Sequence, residues 1–233
     1  MKQADGKVYE QYRSTAIKGD ADPLSARRLR YSIGELLPSN LHAEIVDIGA
    51  GAGELIGALR EWGYQSVSGI DFSQEQVVAA ESAGVQGIIC GDALQWLENK
   101  SDCFDVIIAF DFLEHLSRDQ TLRFLELAHS ALRPKGIIIL RSPNSLVLPG
   151  YRYCDYSHYQ AFTSHSIAQV LRICHFTDIG VRECPPEPVS ILGIGRFCVW
   201  QVIRLFIATY FLVATGSSMG MIYSPNLLVF AKK

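Results

Sequence analysis

The chain has 233 residues, 48% of them hydrophobic and 19% charged, enough for one α/β domain plus an appendage and unlike a disordered or fibrous chain. A formal net charge of -3 gives no general attraction to phosphate polymers, and the basic cluster Arg27, Arg28 and Arg30 is short, so nucleic acid is not an expected partner. The cysteines at 90, 103, 154, 174, 184 and 198 contain no CxxC pair. Reduced thiols in a cytoplasmic protein are expected, and the polar first twenty residues do not read as an export signal.

In chain order, the apolar run from Glu44 to Ile48 reads as a strand that ends in glycines. A helix from Glu54 to Trp62 and a strand from Ser66 to Ile70 follow. Ser73 is the expected N-cap, with Gln76 completing a capping box, of a helix from Gln74 to Ala83 closed by Gly84. A strand from Gly87 to Cys90, a short helix from Ala93 to Glu98, a strand from Phe104 to Phe110 and a helix from Arg118 to Leu132 come next. Pro134 and Gly136 mark a stop before a strand from Gly136 to Arg141. Strands alternating with helices require right-handed crossovers, so the core is an α/β doubly wound, mostly parallel sheet with helices on both faces.

Past Pro143 the pattern changes. The stretch from Tyr151 to Phe162 reads as an aromatic loop whose Tyr151, Tyr153, Tyr156 and Tyr159 either wall a substrate pocket or anchor the loop. Tyr9 and Tyr12 are candidates to close over the site from the N-terminus. A helix from Ser166 to His175, a strand from Thr177 to Arg182, a proline-rich connector at 184–188 and an apolar segment from Ile191 to Ala214 precede a last strand, Leu227 to Ala231. Arg196 and Arg204 interrupt the apolar segment, so it is not expected to span a bilayer. It is expected to lie at a membrane interface or to pack on the domain or on a second copy as a homodimer.

Three features carry chemistry. In Asp47-Ile48-Gly49-Ala50-Gly51-Ala52-Gly53, alternating glycines after the first strand let backbone approach a ligand. This spacing is not the GxGxxG of a dinucleotide fold, and the carboxylate of Asp47 suits a cationic group. Asp71 ends the second strand, where a carboxylate can accept from two adjacent ribose hydroxyls. Asp92, after the third strand, can accept from an exocyclic amine.

These residues, with DIGAGAGE at 47–54, GIDFS at 69–73, GDA at 91–93, FDVIIAFDFLEHL at 104–116 and LRPKGIIILRSPN at 132–144, resemble the class I S-adenosylmethionine-dependent methyltransferases. The likeness is greatest to the small-molecule O-methyltransferase branch that includes the ubiquinone-biosynthesis enzymes. It implies a Rossmann-like sheet of seven strands with the last one antiparallel. It also implies S-adenosyl-L-methionine as cofactor, held by Asp47, Gly49, Ala50, Gly51 and Gly53 at the methionine end, Asp71 at the ribose, Phe72, Asp92 and Ala93 at the adenine, and Phe110 nearby. Residues 41–183 form the implied cofactor-binding core, 1–40 a helical cover, 184–224 a linker with an apolar helical appendage, and 225–233 the final strand.

The segment Asp111-Phe112-Leu113-Glu114-His115 resembles the DxxEH segment of that branch. His115 is the candidate general base, with Glu114 and His158 beside it, or else Glu114 and His115 only orient the loop. Relatives with ExxEH hold a divalent metal there together with a downstream histidine. The shorter Asp111 departs from that pattern, and no metal is assigned. The implied reaction is methyl transfer to a small-molecule, glycan or lipid-linked acceptor at oxygen, with a non-catalytic binding module as the alternative.

Overall fold

The computed structural model describes residues 25–147, 155–216 and 222–233. Its elements are α1 (Ser25–Ile33), β1 (Ile45–Ile48), α2 (Glu54–Glu61), β2 (Val67–Asp71), α3 (Gln74–Ser82), β3 (Ile88–Cys90), α4 (Ala93–Leu97), β4 (Phe104–Phe110), α5 (Arg118–Ala131), β5 (Leu132–Pro143), α6 (Ser164–Ile173), β6 (Thr177–Glu183), α7 (Ile191–Thr215) and β7 (Asn226–Lys232). The seven strands form one sheet in the order β3-β2-β1-β4-β5-β7-β6. The first five pair in parallel, and β7 is antiparallel to both β5 and β6. The expected Rossmann-like sheet is therefore present, and its order reverses beside β1, where such sheets open a crevice at the carboxyl ends of their strands.

Unbroken apolar runs suit central strands because both faces are covered. Along β4, Ile107 and Ala109 join the core that includes Phe124, Leu125 and Ile138. Val106 and Ile108 join the opposite core with Ile33, Ile45 and Ile56. α1 joins this second core through Ile33, which is fully buried. Tyr9, Tyr12, Tyr151 and Tyr153 lie outside the described residues.

Local signals hold with two departures. The end of α3 follows its sequence: Gly84 has φ +81, its N–H donates to Glu81 O and that of Val85 to Ala80 O, the 6→1 and 5→2 pattern of a glycine-closed helix. Its start does not. Ser73 holds the N-cap position but makes no side-chain cap bond, and its N–H, which the box would give to Gln76, is taken by Asp71 Oδ1 at 2.8 Å. The box predicted there is found on α5, between Ser117 and Gln120. Pro134 and Gly136 do not delay the fifth strand, which starts at Leu132. A register shift between Phe104 and Val106, with Lys135 at φ +68, absorbs them as a bulge.

Gly53 caps α2 at φ +79. A Cβ there would lie 2.7 Å from Val85 Cγ1 and 2.9 Å from Ile88 Cδ1. Both the backbone sign and the packing therefore demand glycine. Gly53→Ala is expected to cost about 2–4 kcal/mol from αL strain and overpacking together, read as a fall in the thermal midpoint; a change below a degree would contradict the packing described.

Candidate functional site

Each acidic group at the crevice is placed by a strand end. Asp71, the last residue of β2, accepts the Gly51 N–H at Oδ2 and the Ser73 N–H at Oδ1, both at 2.8 Å. It thereby ties the glycine turn to the neighbouring strand. Burial raises its carboxyl above the ordinary range, and those two backbone donors oppose the rise. Each oxygen keeps a second lone pair for a ligand hydroxyl. Asp92 caps α4 by accepting from Leu94 N at 2.9 Å.

A pocket lies over this edge, walled by Gly49, Gly51, Asp71, Phe72, Asp92 and Ala93, with Asp111, Phe112 and His115 at its far end. Gly51 has φ +53, and nothing lies within 4 Å of where its Cβ would be. A side chain there would fill the pocket, so the glycine keeps open a cradle of backbone. Phe72 presents an exposed ring at its rim. The residues fit the cofactor implied by the sequence: a carboxylate for vicinal hydroxyls, a ring face for a purine, and close backbone for the chain between them.

Four residues expected at the cofactor do not line this pocket. Ala50 is 8% exposed and packs in the core beside Ile56. Gly53 is confined by Val85 and Ile88. Phe110 faces away from the pocket, its ring 4.7 Å from the guanidinium of Arg141. Asp47 is buried within β1 at 4% exposure. Burial first, and then the charge of Asp71, push its carboxyl up to about 7, with Arg141 opposing.

Asp47 therefore keeps, in the folded chain, a proton that an unfolded chain releases from pH ~4 upward. The stability it contributes declines as pH rises from about 4 to about 7. Asp47→Asn is expected to raise the melting midpoint by a few degrees at pH 8 and by much less at pH 5. It is also expected to weaken cofactor binding, since a carboxylate that can answer a cationic group is lost. An equal shift at both pH values in scanning calorimetry would contradict the cause given.

After β4, Asp111 stands at φ +51, a conformation that costs a non-glycine residue energy. What holds it is Arg141, whose Nε donates to both carboxylate oxygens at 3.2 and 3.0 Å and whose Nη2 donates to Oδ2. Asp111 is thus paired with β5 through Arg141, while its charge still acts on Glu114 and His115.

The short helical turn Leu113–His115 buries Glu114. Ser142 Oγ donates to Glu114 Oε2 at 3.1 Å, while Oε1 is buried with no hydrogen-bond partner. Burial, and then the charge of Asp111, push its carboxyl up to about 8. His115 Nδ1 lies 2.8 Å from Ser157 Oγ, which donates to Asp155 Oδ1 at 2.5 Å. A hydroxyl has one hydrogen, so His115 Nδ1–H must be the donor to Ser157, and the lone pair of the neutral ring sits on Nε2. Burial, and then His158, lower its pKa to about 4. The imidazole is therefore neutral near pH 7.

The ring of His158 meets that of His115 edge-on at 4.8 Å. Its Nδ1 is also buried without a hydrogen-bond partner. Glu114, His115 and His158 bring one ligand atom each to within 4.8 Å of one another. The structure thus assembles the three residues expected as catalytic. Sequence reasoning missed Arg141, Ser142, Asp155 and Ser157. An arginine following the apolar run Ile137-Ile138-Ile139-Leu140 was the available signal for the first. The orienting serine and aspartate carry none, because only the loop's fold brings them to His115. Tyr156 is 92% exposed, and Tyr159 lines a separate groove along α5 and α6, so neither walls the crevice.

Residues 22–179 match the family model of a methyltransferase domain. Over 136 residues, 52% of this chain and 14% of the relative, the sequence is 29% identical to a small RNA 2'-O-methyltransferase of Arabidopsis thaliana. The chain thus spans about a seventh of that relative's length. Among solved structures, it is similar to an S-adenosylmethionine-dependent methyltransferase from Archaeoglobus fulgidus, with a TM-score of 0.66, 20% identity and coverage of 89% of this chain and 94% of that one. It is also similar to phosphoethanolamine N-methyltransferase 2 of Haemonchus contortus in complex with S-adenosyl-L-methionine, with a TM-score of 0.62, 20% identity and coverage of 97% and 56%.

Proposed function

The chain belongs to the methyltransferase domain family, and from that premise we propose that it transfers a methyl group from S-adenosylmethionine to a hydroxyl oxygen of a small-molecule or lipid-linked acceptor. The observation that carries the reading is the continuity of one pocket from the Asp71 carboxylate and the open face of Gly51 to the imidazole of His115. When bound, the cofactor supplies an electrophilic methyl group on a sulfonium.

The chain's own part is positional and electrostatic. Asp71 would hold the ribose hydroxyls, Phe72 would offer its ring to the purine, and the Gly49–Gly51 backbone would cradle the methionine end. Asp47, behind the turn, answers the cationic end. His115 accepts the acceptor's hydroxyl proton at Nε2, and the charge that develops on its ring is delocalised toward Nδ1, where Ser157 and Asp155 steady it. Oxygen is preferred as acceptor atom because such a base is placed there, and because the Arabidopsis relative is an O-methyltransferase by name. A net charge of -3 gives the chain no overall attraction for an RNA acceptor.

A second reading rests on the two orphaned atoms, Glu114 Oε1 and His158 Nδ1. With His115 they fit a divalent cation that takes nitrogen and oxygen donors, and such an ion would polarise the acceptor oxygen in place of a base. Titration calorimetry with S-adenosylmethionine and S-adenosylhomocysteine tests the main reading at its root. Micromolar binding, about -8 kcal/mol, is expected, and a folded chain that binds neither would overturn the methyltransferase assignment. Turnover that survives exhaustive chelation excludes the metal reading.

A further inference from the structure

We propose that α7 seats this chain on the surface of an anionic lipid bilayer, lying in the plane of the interface with its outer face among the acyl chains. The helix has 25 residues, about 37 Å at 1.5 Å per residue. Its most apolar 18-residue window has a mean hydropathy of 1.8 yet is only 6% buried. The domain grips it along a narrow stripe. Ser190 Oγ caps it at Gly193 N, Arg204 Nε donates to both oxygens of Glu183 at 3.1 and 2.9 Å, and the rings of Phe211 and Tyr223 meet at 5.9 Å. At roughly 100° per residue, Gly193, Arg204 and Phe211 share the inner half of the helix, with Arg196 and Gln201 at its shoulders. The outer half, an arc of roughly 180°, carries no charge. It exposes Ile191, Val199, Val202, Leu205, Phe206 and Val213, from 55% for Val202 to 92% for Ile191.

Topology excludes a crossing. The chain enters α7 from β6 and leaves it for β7, and these strands are paired, with Glu183 opposite Leu227. A single crossing would put hydrogen-bonded neighbours on opposite sides of the membrane, and α7 is the one helix of sufficient length and hydropathy among the described residues. Bound to a membrane, the helix therefore lies on one leaflet.

Width and charge favour lipid over a second copy of the chain. A partner helix covers a stripe of about 100°, which leaves the flanks of this arc in water, whereas a bilayer covers all of it from first turn to last. No acidic residue occurs in α7. Exposed Arg196 on its shoulder supplies a cation of the kind that anionic headgroups attract. Helices α1 and α7 share a cleft walled by Leu29, Arg196 and Trp200, with Arg141 also lining it.

The experiment is density-gradient flotation of the full chain with vesicles of phosphatidylcholine alone and with about a third phosphatidylglycerol, beside the double variant Leu205→Asp/Phe206→Asp and, separately, Val213→Asp. S-adenosylhomocysteine binding serves as the folding control and light scattering reports the oligomer. The wild-type chain is expected to float with anionic vesicles, with at least about tenfold less in either variant and less on neutral vesicles, cofactor binding being equal throughout. The inference is overturned if the wild-type chain stays with the unbound fraction, if the variants float equally, if neutral vesicles serve as well, or if a stable dimer becomes monomeric in the double variant. Failure to bind cofactor at all strikes the proposed reaction and leaves the flotation result standing.

Discussion

Asp71→Ala is expected to weaken S-adenosylmethionine binding at least about a hundredfold. Two hydrogen bonds from ribose hydroxyls to a carboxylate are worth about 1.5–3 kcal/mol each, and every 1.4 kcal/mol is tenfold. The residue has a second office, since its oxygens hold Gly51 N and Ser73 N. The variant therefore loses the ligand's partner and loosens the turn beneath it, and its melting midpoint should fall as well. Phe72→Ala separates the two effects. Its ring is partly exposed and lines the pocket, so its loss should cost about tenfold in affinity, of the order of an aromatic stacking contact, with little change in midpoint. Calorimetry on both variants decides. An Asp71→Ala chain that is folded and binds within twofold of wild type would remove the ribose assignment.

His115→Ala is expected to lower kcat by about 10²–10⁴-fold, the usual worth of a positioned base, with cofactor affinity within a few-fold of wild type. The pH dependence gives a second signature. Burial lowers the imidazole to about 4, so the ring stays neutral down to that pH. The acid limb of kcat due to His115 should lie near 4, well below the 6.5 of a free imidazole, and should vanish in the variant. The same depression makes folding less favourable as pH falls from about 6.5 toward 4, since an unfolded histidine takes up a proton that the folded one refuses. Ser157→Ala removes the acceptor that fixes the tautomer and is expected to lower kcat about tenfold with KM unchanged. If His115→Ala turns over at the wild-type rate, the base is elsewhere. If wild-type activity is lost on chelation and restored by a divalent ion, His115 is a ligand.

How much of this was legible depends on range. Strand ends and helix caps are local, and there the reading holds: Asp71 and Asp92 terminate or follow strands, the glycines of 49–51 turn inward, and β7 is antiparallel as the resemblance implied. The box at Ser73 is incomplete because Asp71, two residues before it, takes the Ser73 N–H that Gln76 would accept. Pro134 and Gly136 failed because a bulge can hold them within a strand. Phe110 failed on parity, since alternate side chains of a strand face opposite sides, and its neighbour Asp111 is the one at the pocket. Asp155 and Ser157 could not be read at all, since forty residues separate them from the ring they orient. The packing expected of the apolar segment is limited to one stripe, and its outer half is uncovered.

The place of β7 has a consequence for how the molecule is made. Among the described strands, β6 is bonded to the sheet only through β7, yet the ribosome makes β6 and α7 before it makes β7. Until residues 226–232 emerge, β5 has an open flank, β6 has nothing to pair with, and the apolar α7 between them has no finished surface to rest on. A nascent chain at this stage presents its stickiest segment before its sheet can close. Loss of residues 226–232 would thus cost β6 its place in the sheet as well as β7, while β5 would stay paired with β4.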